Sequence, residues 1–224
     1  MGMESKVHLI DCVEFMRGLP DKAFDLAIVD PPYGLGTKTT DGRSKKNSQT
    51  KFMKDIRRSN WDNSTPKKEY FNELKRVSKN QIIWGGNYMA EHIGNTKCIL
   101  IWDKMTYIPT MSQFEFAFCS MNKHPQLIKT NSNDANRIHP TQKPVALYRW
   151  LLRNYAKPND TIFDSHMGSQ SSRIACHMEG FDFTGCELDT EYFEQGNARY
   201  EAFLKTYGTP DPTQAIKGQQ INLF

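Results

Sequence analysis

An α/β fold with a mostly parallel, doubly wound sheet is what this sequence of 224 residues predicts. Three observations carry that expectation. Short apolar runs alternate with helix-length amphipathic segments, the pattern of parallel strands joined by right-handed crossovers. One run, Phe24-Asp25-Leu26-Ala27-Ile28-Val29, stops at Asp30-Pro31-Pro32-Tyr33-Gly34, where two prolines forbid both helix and continued ladder. A later unit carries a Gly-containing strand-to-helix turn, Asp164-Ser165-His166-Met167-Gly168-Ser169-Gln170-Ser171, with Glu187 ending the next strand.

In chain order, Val7-His8-Leu9-Ile10 reads as a short strand ending at Asp11, with a helix over 13–19. The strand 24–29 and its proline corner follow. Residues 35–60 hold eight basic residues (Lys38, Arg43, Lys45, Lys46, Lys51, Lys54, Arg57, Arg58) against Asp41 and Asp55, with no periodic apolar positions. They read as a long mobile loop beside the corner. A charge run of this kind is a solvated surface or, given its position, a phosphate-contacting arm. Thr65-Pro66 supplies a cap and a first-turn proline for a helix with Tyr70, Phe71, Leu74 and Val77 on one face. Strands are expected at 81–84, 98–102 and 114–118, a polar loop over 120–138, and a helix from Pro144 to Tyr155. The last unit places strands at 161–163 and 181–186, a helix at 170–179 between them, and a final helix at 190–207.

Composition narrows the class. Hydrophobic residues make up 38% and charged residues 24%, with a net charge of +4, which is ordinary for a globular domain. No apolar stretch nears the ~20 residues of a membrane span, and the first residues lack a signal-peptide core. A cytoplasmic setting follows as the expectation. Cys12, Cys98, Cys119, Cys176 and Cys186 have no paired spacing and fit reduced thiols. The histidines show no metal-ligand spacing, so no metal is expected.

The corner and the turn carry the chemistry. Carboxyl edges of open α/β sheets are where ligands bind. There, Asp30 and the Pro31 carbonyl, held rigid by Pro32, offer acceptors for the two N–H bonds of an exocyclic amino group, and Tyr33 offers a stacking surface. The other reading is a proline turn whose Tyr33 packs on the surface. Glu187 lies 187 − 168 = 19 residues after Gly168, the spacing at which a carboxylate takes ribose hydroxyls. An ordinary βα turn with a surface acid fits the same spacing.

Four elements in this order, Asp30 to Gly34, Ile83-Trp84-Gly85-Gly86-Asn87-Tyr88, His139-Pro140-Thr141-Gln142-Lys143-Pro144, and Phe163 to Ser169, resemble the β-class amino-methyltransferases of DNA. The chain looks most like small phage- or prophage-encoded adenine methylases. The resemblance spans about 7–207 and implies the S-adenosylmethionine-dependent methyltransferase fold in circularly permuted motif order, catalytic half first. It implies a single domain over 1–208, with 35–60 as the DNA-contacting loop and 119–138 as a minimal target-recognition segment. It further implies S-adenosylmethionine as methyl donor. Asp164 and the Gly168-Ser169 backbone would line its methionine side, Glu187 would hold its ribose, and Asp11 or the Cys12 backbone would meet its adenine. Thr141 and Lys143 would close over its carboxylate, and Asp30, His139, Ser165, Gln170 and Leu188 would also contact the cofactor. Asp30, Pro31, Pro32 and Tyr33 would act on the N6 of a flipped adenine in DNA. Gln170 stands where the family usually has glycine, which by the resemblance puts a side chain near the cofactor.

Cytosine N4 is the alternative target, since the amine chemistry is alike. An RNA or protein-glutamine methyltransferase, or a non-catalytic DNA-binding relative, are the alternatives from other classes. Residues 209–224 read as a flexible tail whose Gln220, Ile221, Leu223 and Phe224 resemble a sliding-clamp docking peptide; a tail folded back on its own domain is the competing reading. A homodimer is the expected way to supplement so short a recognition segment.

Overall fold

The computed structural model describes residues 3–35, 62, 64–105, 112–131, 137–138 and 141–207. The eight loop cations from Lys38 to Arg58, His139, and the tail residues Gln220, Ile221, Leu223 and Phe224 lie outside the described residues. Strands β1 (Ser5–Leu9), β2 (Phe24–Val29), β3 (Ser78–Trp84), β4 (Cys98–Asp103), β5 (Phe114–Cys119), β6 (Gln126–Lys129), β7 (Thr161–Asp164) and β8 (Asp182–Glu187) form one sheet. Their spatial order is β1-β8-β7-β2-β3-β5-β4-β6. Neighbours from β1 through β3 pair parallel, β5 runs antiparallel to both β3 and β4, and β6 pairs parallel with β4.

Helices cover both faces: α1 (Cys12–Arg17), α2 (Lys68–Val77), α3 (Ala90–Ile93), α4 (Val145–Tyr155), α5 (Ser171–Glu179) and α6 (Thr190–Tyr207). Period-two alternation splits each central strand between two cores. In β2, Leu26 and Ile28 join a core with Trp84, Trp102 and the α4 residues Leu147 and Leu151. Ala27 and Val29 face the other, with Met16 of α1 and Tyr70, Phe71, Leu74 and Val77 of α2. These four fall at helical spacing, and burying them outweighs local signals at the start of α2.

Two sequence expectations are corrected. Thr65-Pro66 does not start α2: the N-cap is Lys67, which makes no side-chain cap bond. A residue before proline is held extended, and the chain stays extended at Lys67 (φ −70°, ψ 161°) until Tyr70 can reach the core. The stretch 120–138 is not all loop, because Gln126–Lys129 adds the edge strand β6. Only Ile128 of that strand is buried, too little apolar pattern to announce a strand.

The order β7-β2 marks the switch point. From β2 the sheet grows outward through β3, and from β7 it grows the other way through β8 and β1. Such a reversal opens a crevice at the carboxyl edge. Asp30 follows β2 and Asp164 ends β7, side by side at that edge.

Candidate active site

At the end of β2 the proline corner is braced by one carboxylate. Asp62 Oδ1 accepts the backbone N–H groups of Tyr33 (2.6 Å) and Gly34 (2.9 Å), and Gly34 adopts φ +72°. The Tyr33 ring lies over Gly85 and stacks on Tyr88 with centroids 5.3 Å apart. Gly85 itself has φ +68°, and a Cβ there would enter the Tyr33 ring. Gly85 thus gives the tyrosine a flat floor, whereas a Cβ at Gly86 would run into Phe118. Gly85→Ala should cost about 2–3 kcal/mol by overpacking and left-handed strain. A fall in Tm of about 5–10 °C in thermal denaturation checks it.

Behind Tyr33 lies a buried network of charges. Lys143 Nζ sits 2.5 Å from Asp30 Oδ1 and 3.0 Å from Glu115 Oε2, and donates to the Tyr33 hydroxyl at 3.0 Å. That hydroxyl lies 2.7 Å from Asp30 Oδ1, to which it donates, and 3.2 Å from Glu115 Oε2. Lys104 Nζ takes the other Glu115 oxygen at 2.7 Å. The Trp84 and Tyr33 rings flank the Lys143 ammonium at 5.3 and 5.4 Å, close enough for cation–π attraction. Burial works against the charge on Lys143, but Asp30 and Glu115 outweigh it and raise its pKa. Burial also opposes ionisation of Glu115, and Lys143 with Lys104 overcome it, holding that carboxyl at about 2. Asp30 goes the other way: burial raises its pKa in spite of Lys143. Among the described residues, every side-chain contact of Asp30 falls on Oδ1, which leaves Oδ2 for a ligand.

The turn after β7 is braced throughout. Asp164 accepts from the Ser172 hydroxyl (2.6 Å) and the His166 N–H (3.1 Å), and burial pushes it up to about 7. Glu187 accepts the N–H groups of Gly168 (2.9 Å), Leu188 (2.9 Å) and Asp189 (3.0 Å). Oε1 takes two of the three, and Oε2, which takes only that of Gly168, keeps a lone pair for a hydroxyl. Ser165 Oγ links Tyr70 Oη (2.7 Å) to His166 Nδ1 (2.9 Å), and Ser169 Oγ lies 3.2 Å from Ser171 Oγ. Asp11 Oδ1 caps α1 through the N–H groups of Val13 and Glu14. Asp11, Cys12, Pro32, Tyr70 and His166 bound a cavity of about 450 Å³, which links the proline corner to the turn. Burial drives His166 down to about 4 and the Cys12 thiol up to about 12, so both are uncharged near neutral pH.

Other predicted positions sit elsewhere. Lys143 is turned into the Asp30–Glu115 pair, while Thr141 is exposed and Leu188 is 68% exposed at the surface. Gln170 is corrected outright: its side chain is buried away from the cavity, against Gly196, with Nε2 bonded to Asn197 Oδ1 at 3.0 Å and Oε1 to Arg173 at 2.9 Å. Its φ of +58° favours glycine, and those bonds offset the strain. Sequence reasoning missed Glu115, Lys104 and Asp62. In sequence, Glu115 between Phe114 and Phe116 reads as ordinary alternation with the rings inward; the structure reverses it, leaving both rings about 40% exposed.

Residues 96–198 match the DNA methylase family. Over that span the chain is similar to the DNA methylases. The matched span holds Lys104, Glu115, Lys143, the β7 turn and Glu187; the fold brings the corner at 30–34 to it. The relative M2.MboI, a type II methyltransferase of Moraxella bovis, is 24% identical over 238 residues, covering 85% of each chain. Among solved structures, M1.HpyAVI in complex with SAM superposes with a TM-score of 0.57 at 18% identity, covering 88% of this chain and 98% of that one. The cytosine-N4-specific DNA methyltransferase PvuII gives 0.61 at 12% identity, covering 89% and 87%. At such identities the structures establish a shared fold.

Proposed function

We propose that this chain moves a methyl group from S-adenosylmethionine to the exocyclic amino group of a base flipped out of DNA, adenine N6 being the target. The observation that carries the reading is the Asp30 corner. One carboxylate oxygen is pinned by Lys143 and Tyr33, while the other has no partner among the described residues and lies beside the rigid Pro31-Pro32 backbone. The cofactor supplies an electrophilic methyl group on a positively charged sulfur. The cavity between corner and turn fits it: its volume of about 450 Å³ lies in the range of small-molecule sites. His166 and Cys12 put no charge on its wall, where Asp11 and Glu69 are balanced by Arg17 and Lys67. Asp11, Cys12 and His166 would bound the adenine end, Glu187 the ribose, and Asp164 with the Gly168-Ser169 turn the methionine end.

Asp30 Oδ2 and the Pro31 carbonyl would accept the two N–H bonds of the amine. They turn its lone pair out of ring conjugation and stabilise positive charge growing on nitrogen. Asp30 Oδ2 would take the surplus amine proton as the methyl group leaves its donor. A paired base must leave the duplex to reach this corner. Cytosine N4 is the second reading, favoured by the likeness to PvuII; aspartate rather than serine at position 30 leans to adenine.

The test is incubation with methyl-labelled S-adenosylmethionine and duplex DNA, RNA or protein, followed by digestion. Label in N6-methyladenine is the expected result. Label in N4-methylcytosine selects the second reading, and label in RNA or protein alone overturns both.

A further inference from the structure

Strand β5 inverts the usual order of burial. Phe114 and Phe116 face outward, while Glu115 points inward among Trp84, Trp102 and Tyr33. Burying an acid while exposing two aromatic rings is unfavourable for a strand, so the position calls for a role. Among the described residues, the bonds of Glu115 go to none of the β7 turn or the cavity wall. It meets Lys143 and Tyr33, the two groups that also meet Asp30, and its far oxygen meets Lys104.

We infer that Glu115 is a positioning residue for methyl transfer: it shares the Lys143 ammonium with Asp30 and so keeps Asp30 basic enough to take the amine proton. This rests on the methyl-transfer reading of the same site. With Lys143 bound to Asp30 alone, the carboxylate would be neutralised by a private ion pair and become a poor proton acceptor. With two carboxylates competing for one ammonium, Asp30 keeps negative potential while Lys143 still fixes Oδ1 and leaves Oδ2 facing the cleft. Lys104 compensates the outer side of Glu115, so the four charges sum to zero and the cluster can be buried. The other titratable groups facing Asp30 are Asp164 and Tyr70 from one side and Tyr148 of α4 from the other. None of these three makes a bond to its carboxylate among the described residues.

The arrangement predicts shifts of opposite sign. Glu115→Gln removes a neighbouring negative charge, so Asp30 loses its proton at lower pH. The acidic limb of the single-turnover rate against pH should move down by about one unit. The plateau rate should fall about tenfold as the acceptor weakens, with cofactor affinity within about twofold. Lys104→Met removes a positive charge, and the same limb should move up by about half a unit. Opposite shifts separate positioning from a structural role, which would lower both rates and leave the limb in place. Should the glutamine variant fail to fold, the sign of the Lys104→Met shift decides alone.

A second readout needs no turnover: the Asp30 carboxyl titration followed by NMR in protein carrying 13C-labelled aspartate, assigned with Asp30→Asn. A lower Asp30 midpoint in Glu115→Gln supports the inference. Coincident titrations or limbs in the three proteins, or shifts of the reverse sign, overturn it. Wild-type protein that methylates no DNA while Asp30 still titrates as expected overturns the methyl-transfer reading instead.

Discussion

Asp30→Ala loses methyl transfer to DNA by about 10³-fold or more while binding S-adenosylmethionine within a few-fold of wild type. The magnitude combines the loss of a proton acceptor with the loss of charge stabilisation on the attacking nitrogen, each worth about 10²–10³. The fold survives the change, because Lys143 keeps Glu115 as its partner at 3.0 Å. Single-turnover transfer and cofactor titration on the same preparation measure both halves. Turnover retained at even a tenth of the wild-type rate would remove Asp30 from the chemistry.

Lys143→Met produces the largest loss of stability. Asp30 and Glu115 then face each other, buried, without the ammonium between them. Breaking a buried pair from one side costs about 3–5 kcal/mol, a fall in Tm of about 10 °C for a chain of this size. The pH dependence carries a sign. In the wild type Glu115 is held at about 2, below its ordinary value, so its stabilisation is present above about pH 4.5 and is lost as pH falls through 2. In the variant the carboxyls are pushed up instead, so the folded state binds protons more readily than the unfolded chain. Its deficit against wild type narrows as pH drops from 7 towards 4. A deficit constant over that range, read from urea denaturation, would mean that the two acids do not interact.

The central strands were legible because their alternation is local: β2 runs over the residues that its apolar pattern marks, and the prolines end it. The helix faces of α2 and α4 were legible for the same reason. The adjacency of Asp30 and Asp164 was not, since no periodicity says which strands pair; only the order of motifs, through resemblance, implied it. Glu115, Lys104 and Asp62 escaped because a single charge in a strand or loop has no spacing to read, and its worth depends on partners distant in sequence. Gln170 shows the opposite error. Its place in a motif argued for a ligand contact, whereas its left-handed backbone turns the side chain under α6 to Asn197.

The two bonds to Asp62 have a consequence for how such a protein changes over time. The chain leaves the proline corner at Gly34 and comes back to it at Asp62, both fastened to one oxygen. The corner at Asp30 is thus held from both sides, by β2 before it and by the Asp62 carboxylate after it, so a change of length between Gly34 and Asp62 would leave its anchor in place.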